Sequence, residues 1–274
     1  MSALRFPTGM RQALAGLLLA LAAAGPARAG QNCEARPPDA VAVERAMTLA
    51  EHTAAALDAS GAQVVVLARA GQNLDAWGLR YSHLGFAYRD AVSGRPVWRV
   101  LHKLNQCGSA RASIHRQGLG DFFLDDMHDY RAGMVVLAPA VQAHLLPVLR
   151  SNDAAARLDQ PAYSMLAYPW ATTYQQSNQW AIETLAMAED APPAGTAPSR
   201  ERAQAWLRLR GYEPTVLRIG AMKRLGARMT SAHVAFDDHP NEKRFADRIE
   251  TVGVDSVFVW LERSGLGGRE QTVR

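Results

Sequence analysis

Two neighbouring runs decide the fold: Tyr81-Ser82-His83-Leu84-Gly85-Phe86-Ala87-Tyr88 and Pro96-Val97-Trp98-Arg99-Val100-Leu101-His102-Lys103-Leu104. Both are rich in the β-branched and aromatic residues that favour strands. The four residues between them, Ala91-Val92-Ser93-Gly94, are typical of a hairpin loop. The stretch therefore predicts an antiparallel β-hairpin.

The register of this hairpin decides whether its two histidines meet. If Asp90 faces Arg95 across the hairpin, then His83 faces His102. Residues directly opposite each other in an antiparallel pair point to the same face of the sheet. The sequence therefore predicts that His83 and His102 are neighbours.

The rest of the chain predicts helices mixed with short strands. Residues 40–60 carry apolar side chains at helical spacing, and residues 63–68 have the pattern of a short apolar strand. A further helix, with Thr172 or Thr173 as its N-cap, is predicted to run to about Met187. Because helices and strands do not alternate regularly, we expect an α+β fold with a small antiparallel sheet packed on helices.

A stretch rich in proline, alanine and glycine near residues 190–198 predicts a linker. Residues 30–274 then form a single domain that a C-terminal α/β extension, residues 199–274, completes. In that extension we expect helices over residues 201–209 and 221–229, and strands over 215–219, 233–236, 249–252 and 256–261. The last dozen residues are polar and glycine-rich and are expected to fray.

Residues 1–29 have the pattern of a secretory signal peptide. Arg5 and Arg11 precede an apolar run from Ala13 to Ala24, and a small-residue cleavage pattern ends at Ala29. We therefore expect cleavage near Ala29 and a periplasmic or secreted protein. No later stretch has the roughly 20 apolar residues of a membrane-spanning helix.

The charge of the exported chain is almost balanced. Residues 1–29 contain three arginines and no acidic residue, so 27 basic and 26 acidic side chains remain after cleavage. Such a balance gives no electrostatic footprint for nucleic acid and no basic patch for a membrane, and we expect no nucleic-acid partner.

Cys33 and Cys107 are the two cysteines of the chain. An exported protein meets an oxidising compartment, which favours a disulfide between them. The alternative is a catalytic Cys107, but Cys107 is followed by Gly108-Ser109, which indicates a turn rather than the start of a helix.

Three residues suggest acyl chemistry. A histidine on a strand can act as a general base if a second polar group fixes its tautomer, and His83 and His102 supply that pair. Ser177 is expected in the first turns of the helix that ends near Met187, where free amides favour a developing negative charge. Each residue also has an ordinary structural explanation, since half-buried histidines and serines near helix starts are common.

Four blocks of the chain resemble the permuted papain-like proteins, which include the lecithin retinol acyltransferase group and bacterial relatives of the peptidoglycan-cleaving NlpC family. The blocks are Val64-Val65-Val66-Leu67, Tyr81-Ser82-His83-Leu84-Gly85-Phe86, Val100-Leu101-His102 and Gln176-Ser177-Asn178-Gln179-Trp180-Ala181. By this resemblance His83 is the base, His102 is the orienting group, and Ser177 stands where a cysteine nucleophile is expected.

The resemblance implies a permuted papain-like fold without a cofactor or metal, and a hydrolase or acyltransferase that acts on an amide or ester. Asn178 and Gln179 would be polar neighbours of the site. A serine hydroxyl is less acidic than a thiol and needs a better-organised base. The alternative is a non-catalytic periplasmic binding or envelope-assembly module that uses the same cleft. Either function implies a peptide, glycan or acyl ligand of the cell envelope.

Over most of its length the chain also resembles a family of exported bacterial proteins known as domain of unknown function 2145. The matching motifs are Gln31-Asn32-Cys33, Tyr81-Ser82-His83, Gln106-Cys107-Gly108-Ser109, Arg116-Gln117-Gly118-Leu119, Phe122-Phe123-Leu124-Asp125-Asp126, Ser177-Asn178-Gln179-Trp180 and Asp237-Asp238-His239-Pro240. This resemblance implies no particular activity.

Two acidic runs offer a third kind of site. Asp125-Asp126 lies near His128, and Asp237-Asp238 precedes His239. Oxygen and nitrogen ligands of this type can hold a metal. Short acidic runs are more often turns or helix caps, and neither run has the ligand spacing of a known metal motif.

Overall fold

A computed structural model describes residues 38–125, 127–190 and 195–274. Residues 1–29, Cys33 and Asp126 lie outside this part of the chain. The signal peptide, the Cys33–Cys107 disulfide and the division into one domain with a linker near residues 190–198 therefore stay predictions. Among the described residues, no helix combines the length and the apolar character that crossing a membrane requires.

Helices and strands follow one another irregularly along the chain. The helices are α1 (Ala40–Ala59), α2 (Leu119–Phe123), α3 (Pro139–Arg150), α4 (Asn152–Ala156), α5 (Ser177–Glu189), α6 (Arg200–Leu209), α7 (Ala221–Thr230), α8 (Asn241–Phe245) and α9 (Val254–Arg263). The strands are β1 (Val64–Ala70), β2 (His83–Val92), β3 (Arg95–Asn105), β4 (Ala112–Gly118), β5 (Asp129–Val136), β6 (Thr215–Arg218), β7 (Arg248–Thr251) and β8 (Gln271–Val273). The expected mixture of helices with a small antiparallel sheet is confirmed.

Six strands form one sheet in the order β4-β3-β2-β1-β5-β8. Every neighbouring pair is antiparallel. All seven residues of β1 are buried, which requires that both faces of the sheet are covered. This explains why Val64-Val65-Val66-Leu67 reads as a continuous apolar run rather than an alternating one.

The two faces of the sheet pack on different helices. Leu84, Phe86 and Leu101 lie on one face, which packs against α3, α5 and α9; we call it the α5 face. Val65 and Val100 lie on the other face, which packs against α1 and α2; we call it the α1 face. Since side chains alternate along a strand, His83 and His102 project from the α1 face.

The hairpin of β2 and β3 forms as expected, but its register differs from the prediction by two residues. Val92 faces Arg95, so the loop is the two-residue turn Ser93-Gly94 rather than four residues. Ser93 has a φ of 50° and Gly94 a φ of 78°. Positive φ at both central positions is the geometry that matches the twist of the flanking strands.

A shift of two residues leaves every side chain on its expected face, because the side-chain period of a strand is two. Asp90 therefore faces Val97 instead of Arg95. His83 and His102 are diagonal rather than direct neighbours, and they still share a face. Gly85 takes the position beside His102: a Cβ atom on Gly85 would lie 2.7 Å from the Cβ of His102.

The C-terminal extension contains two corrections to the sequence prediction. Residues 256–261 belong to helix α9 and not to a strand; their buried positions Val254, Val257, Phe258 and Leu261 have helical spacing, which a short apolar run does not reveal. Residues 233–236 form no strand, although Phe236 packs in a small cluster with residues of β6 and β7.

The chain end is also more ordered than expected. Residues 271–273 form β8, which pairs with β5 through Ala132 and Val273 among others. The backbone oxygen of Arg274 lies 2.6 Å from Nδ1 of His52 in α1. Strand β8 is thus the outermost strand at one edge of the large sheet.

We predict that Gly85→Ala destabilises the protein by roughly 1–3 kcal/mol, because the new methyl group would overlap His102 Cβ and the Leu101 carbonyl oxygen, 2.9 Å away. Urea unfolding of the two proteins measures the change in the free energy of unfolding. Gly118→Ala is the matched control, since its Cβ would meet only Asp121 at 3.8 Å. Equal stability of the two variants would contradict the close approach of β2 and β3.

Candidate functional site

The two histidines of the hairpin contact each other directly. Nε2 of His83 lies 2.8 Å from Nδ1 of His102, and the ring centroids are 5.1 Å apart in an edge arrangement. Phe122 of α2 packs against both rings. Its ring centroid lies 6.1 Å from that of His83 and 5.2 Å from that of His102. His102 is fully buried, whereas His83 is partly exposed.

A glutamine on the next strand decides which ring nitrogens of this histidine pair donate and which accept. Oε1 of Gln117 lies 2.7 Å from Nε2 of His102. A carbonyl oxygen can only accept, so His102 donates from Nε2 and accepts at Nδ1. His83 must then donate from its own Nε2, which leaves the lone pair on its Nδ1. The chain of hydrogen bonds therefore fixes both tautomers and turns His83 into a hydrogen-bond acceptor.

Burial and a nearby cation keep both histidines neutral. Desolvation holds the pKa of His83 well below its ordinary value of 6.5, and the positive charge of Arg69 lowers it further. The same two causes lower the pKa of His102 to about 3. Neither ring carries a charge at neutral pH, which is the state that the directed hydrogen bonds require.

Arg69 is the cross-strand partner of His83, and its side chain packs against α2, as the two histidines do. It is only 4% exposed. Its guanidinium donates to the carbonyl oxygen of Phe122 and to Asp125, and it lies 4.8 Å from the centroid of the Phe122 ring. Arg69 thus joins β1, the neighbour of the strand that carries His83, to α2.

A cavity of about 380 Å³ opens beside this cluster. It is bounded by Arg69, Leu104, Asn105, Gln117, Asp121, Leu124 and Asp125. His83 is not among these residues, so the histidines reach the cavity through Gln117. The amide nitrogen of Gln117 makes no hydrogen bond to any described residue, so it is available to a ligand.

The structure does not bring Ser177 to the histidines. Ser177 is the first residue of α5, and α5 packs on the other face of the sheet through Trp180 and Leu185. Ser177 is 6% exposed and shares a hydrogen bond with Tyr163, whose pKa is raised by burial to about 12. Catalysis by His83, His102 and Ser177 stays a prediction. In this geometry Ser177 does not meet the two histidines, so the three cannot act together.

Gln176, and not Thr172 or Thr173, caps this helix. Its Oε1 accepts from the backbone N–H groups of Asn178 at 3.1 Å and Gln179 at 3.2 Å. Gln179 Oε1 in turn accepts from the backbone N–H of Gln176, at 3.3 Å, which completes a capping box.

Asn178 has a structural role that the sequence did not reveal. Its Oδ1 accepts from the backbone N–H of Leu84 at 3.0 Å, and its Nδ2 donates to the backbone oxygen of Val252 at 3.0 Å. Asn178 is 2% exposed. One buried amide therefore ties the start of α5 both to β2 and to the chain before α9.

A buried charged network on the α5 face was also missed. The carboxylate of Glu183 accepts from the Arg200 guanidinium at 2.7 and 3.0 Å, and Glu183 is fully buried. Lys103, next to His102 in sequence but on the opposite face, donates to Asp159, to the Gln160 carbonyl oxygen and to Gln175. No local sequence pattern predicts such a network, because its members come from distant segments of the chain.

The two acidic runs have structural partners. Asp125 pairs with Arg69. Asp238 lies 2.9 Å from Nδ1 of the buried His239, and it accepts from the backbone N–H of Tyr168 at 2.7 Å. Within the described residues, no three histidine, cysteine or acidic side chains converge on a point where a metal ion fits.

We predict that Asn178→Ala costs roughly 2–4 kcal/mol of stability, because it leaves a buried N–H group and a buried carbonyl group without partners. Ser177→Ala is the matched control and loses only the hydrogen bond to Tyr163, for which about 1 kcal/mol is expected. Urea unfolding of both variants measures the difference. A larger loss for Ser177→Ala would show that Ser177, not Asn178, holds the start of α5.

The neutral His102 predicts a specific loss of stability in acid. Its pKa is about 3 in the folded protein and about 6.5 when unfolded, so the unfolded state binds the extra proton between these values. Stability from this residue is complete above pH 6.5 and falls as the pH drops towards 3. The expected loss between pH 7 and pH 5 is about 2 kcal/mol.

Denaturant unfolding across this pH range, compared with His102→Gln, isolates the contribution of His102 from that of the carboxylates. The variant should show the shallower dependence on pH. Parallel curves for the two proteins would contradict a neutral buried His102. So would NMR spectra in which the imidazole of His102 itself titrates near pH 6.5.

Comparisons with known proteins give one assignment. Residues 56–261 match the model of a family described as an uncharacterized protein conserved in bacteria, DUF2145. Neither the curated proteins nor the solved structures contain a match to this chain. The matched region spans both faces of the sheet, the histidine pair and the start of α5, and the chain belongs to the DUF2145 family.

Proposed function

We propose that this chain is an exported binding protein of the cell envelope, and that its ligand site is the cavity bounded by Arg69, Gln117, Asp121 and Asp125. The observation that carries the proposal is the directed hydrogen-bond chain from His83 through His102 to Gln117. His102, itself held by His83, donates to the carbonyl oxygen of Gln117 and leaves the Gln117 amide nitrogen as a fixed donor at the cavity wall. A donor held in place loses little conformational entropy when a ligand binds.

The polar groups around the cavity suit an amide. Gln117 offers N–H donors, and the carboxylate of Asp121, which is exposed and has no hydrogen-bond partner among the described side chains, offers acceptors. An amide presents both a carbonyl oxygen and an N–H group, so it can use both residues. Peptides and N-acetylated glycans of the envelope carry this group, which agrees with the ligand classes expected for an exported protein.

The second candidate function is hydrolysis of an amide or ester, as the papain-like resemblance implies. It is favoured by the lone pair on Nδ1 of His83, a neutral and partly exposed group whose tautomer is fixed by His102. Such an imidazole can take a proton from water. We assign Ser177 no part in this candidate, because it bonds Tyr163 on the opposite side of the sheet.

The binding proposal predicts that N-acetylglucosamine or the dipeptide alanyl-alanine perturbs the Gln117 side-chain amide in 1H–15N NMR spectra. Gln117→Ala should raise the dissociation constant about tenfold, as the loss of one hydrogen bond does. Gln271→Ala, at an exposed glutamine of β8 in the same sheet, is the control and should bind as the wild type does. Unchanged binding by Gln117→Ala would refute the site.

The hydrolytic candidate has a separate test with p-nitrophenyl acetate and alanine p-nitroanilide as probes. If His83 activates water, His83→Ala should lower the rate about 100-fold and Ser177→Ala should leave it unchanged. Loss of activity in Ser177→Ala would restore the papain-like nucleophile instead. Equal background rates in all three proteins would leave binding as the function.

A further inference from the structure

Helix α7 has an unusual exposed surface. Met222 is 80% exposed and Leu225 is 54% exposed, although apolar side chains of this size are normally buried. The helix is held on its other side, where Arg224 donates to Asp247 at 2.6 Å and Ala227 packs in the small cluster under β6 and β7.

The positions of these residues on the helix form an ordered pattern. At about 100° per residue, Met222 and Leu225 lie within about 60° of each other, and their side is opposite that of Arg224 and Ala227. Lys223 and Arg228 flank the apolar pair on its two sides. The outward surface of α7, made of Met222, Lys223, Leu225 and Arg228, is therefore an apolar stripe bordered by cations; we call it the α7 stripe.

The α7 stripe carries two exposed cations. Lys223 and Arg228 are exposed, and neither forms an ion pair with any described residue. The sequence from Pro214 to Phe236 contains Arg218, Lys223, Arg224 and Arg228 and no acidic residue, and Asp237-Asp238 follow directly after it. The near balance of the whole chain thus hides a local excess of positive charge.

We propose that the α7 stripe docks this protein on the surface of a bilayer that contains anionic phospholipids. A helix that lies in a bilayer surface needs apolar side chains pointing at the acyl chains, with cations beside them at the level of the headgroups. Phosphate-bearing headgroups supply the ion-pair partners that Lys223 and Arg228 lack among the described residues. Met222 and Leu225 are long and flexible, so they can enter the lipid without a preformed groove.

The occupant follows from this charge pattern. A second copy of the chain would bring the same cations face to face, which is unfavourable. A bilayer with anionic headgroups neutralises cations on both flanks of the stripe at once. Two apolar residues and two cations give weak and reversible attachment, which a soluble exported protein can make and break.

Vesicle co-sedimentation tests the proposal with residues 30–274, since the apolar residues 13–24 would bind lipid on their own. The chain should sediment with vesicles of phosphatidylcholine that contain roughly a quarter phosphatidylglycerol, and not with phosphatidylcholine alone. Lys223→Gln with Arg228→Gln should weaken the partition coefficient about 25-fold, at about fivefold for each cation near a charged surface. Met222→Ser with Leu225→Ser should weaken it about tenfold or more.

Leu209→Ser is the matched control, because Leu209 is 84% exposed and lies on α6, outside the α7 stripe. It should bind as the wild type does, and thermal unfolding should show that all variants are folded. Absence of binding, equal binding to neutral vesicles, or equal loss in Leu209→Ser would overturn the proposal. A dimer that Met222→Ser with Leu225→Ser abolishes, without vesicle binding, would also overturn it and assign the stripe to self-association.

Discussion

The alternation of side chains across the six-stranded sheet is the constraint on which the rest of this structure depends. Because helices cover both faces, β1 is buried along its whole length, and the sheet separates two interiors. A residue on β2 or β3 belongs to one interior or the other according to its place in the alternation. His102 and Lys103 are adjacent in sequence, yet the first meets α2 and the second meets the chain before α5.

The two interiors accommodate buried polar groups in different ways. On the α1 face the histidines lose their charge and become a neutral chain that ends at Gln117. On the α5 face the charges remain and are matched: Glu183 accepts from Arg200, and also from Gln175 and Gln204. A buried carboxylate is tolerated only with several donors around it, and the removal of one partner leaves an expensive unpaired charge. The α1 face also keeps one charged pair, Arg69 with Asp125, and the cavity lies beside that pair.

Periodicity predicted much of the fold. The helices at residues 40–60, 201–209 and 221–229 agree with α1, α6 and α7 within about a residue or two. The hairpin register failed because the backbone at Ser93-Gly94 adopts positive φ, which shortens the loop by two residues. The site was harder to predict, because contact between α5 and one particular face of the sheet depends on long-range packing. Gln117 lies in a motif shared with the DUF2145 family, but a motif does not say which side chain it contacts; that depends on the pairing of β4 with β3.

The start of α5 shows why a helix terminus alone does not make a catalytic site. An oxyanion at Ser177 would need free backbone N–H groups in the first turn. Here the side chain of Gln176 already accepts from the N–H groups of Asn178 and Gln179, so those donors are occupied within the protein. The side-chain amide of Asn178 is also occupied, because it is hydrogen-bonded to the backbone of Leu84 and Val252. A negative charge developing at Ser177 would have to displace an intact cap, and that displacement would cost the helix about 1 kcal/mol or more. The terminus that resembles a nucleophile motif is thus arranged as a joint between α5, β2 and the chain before α9.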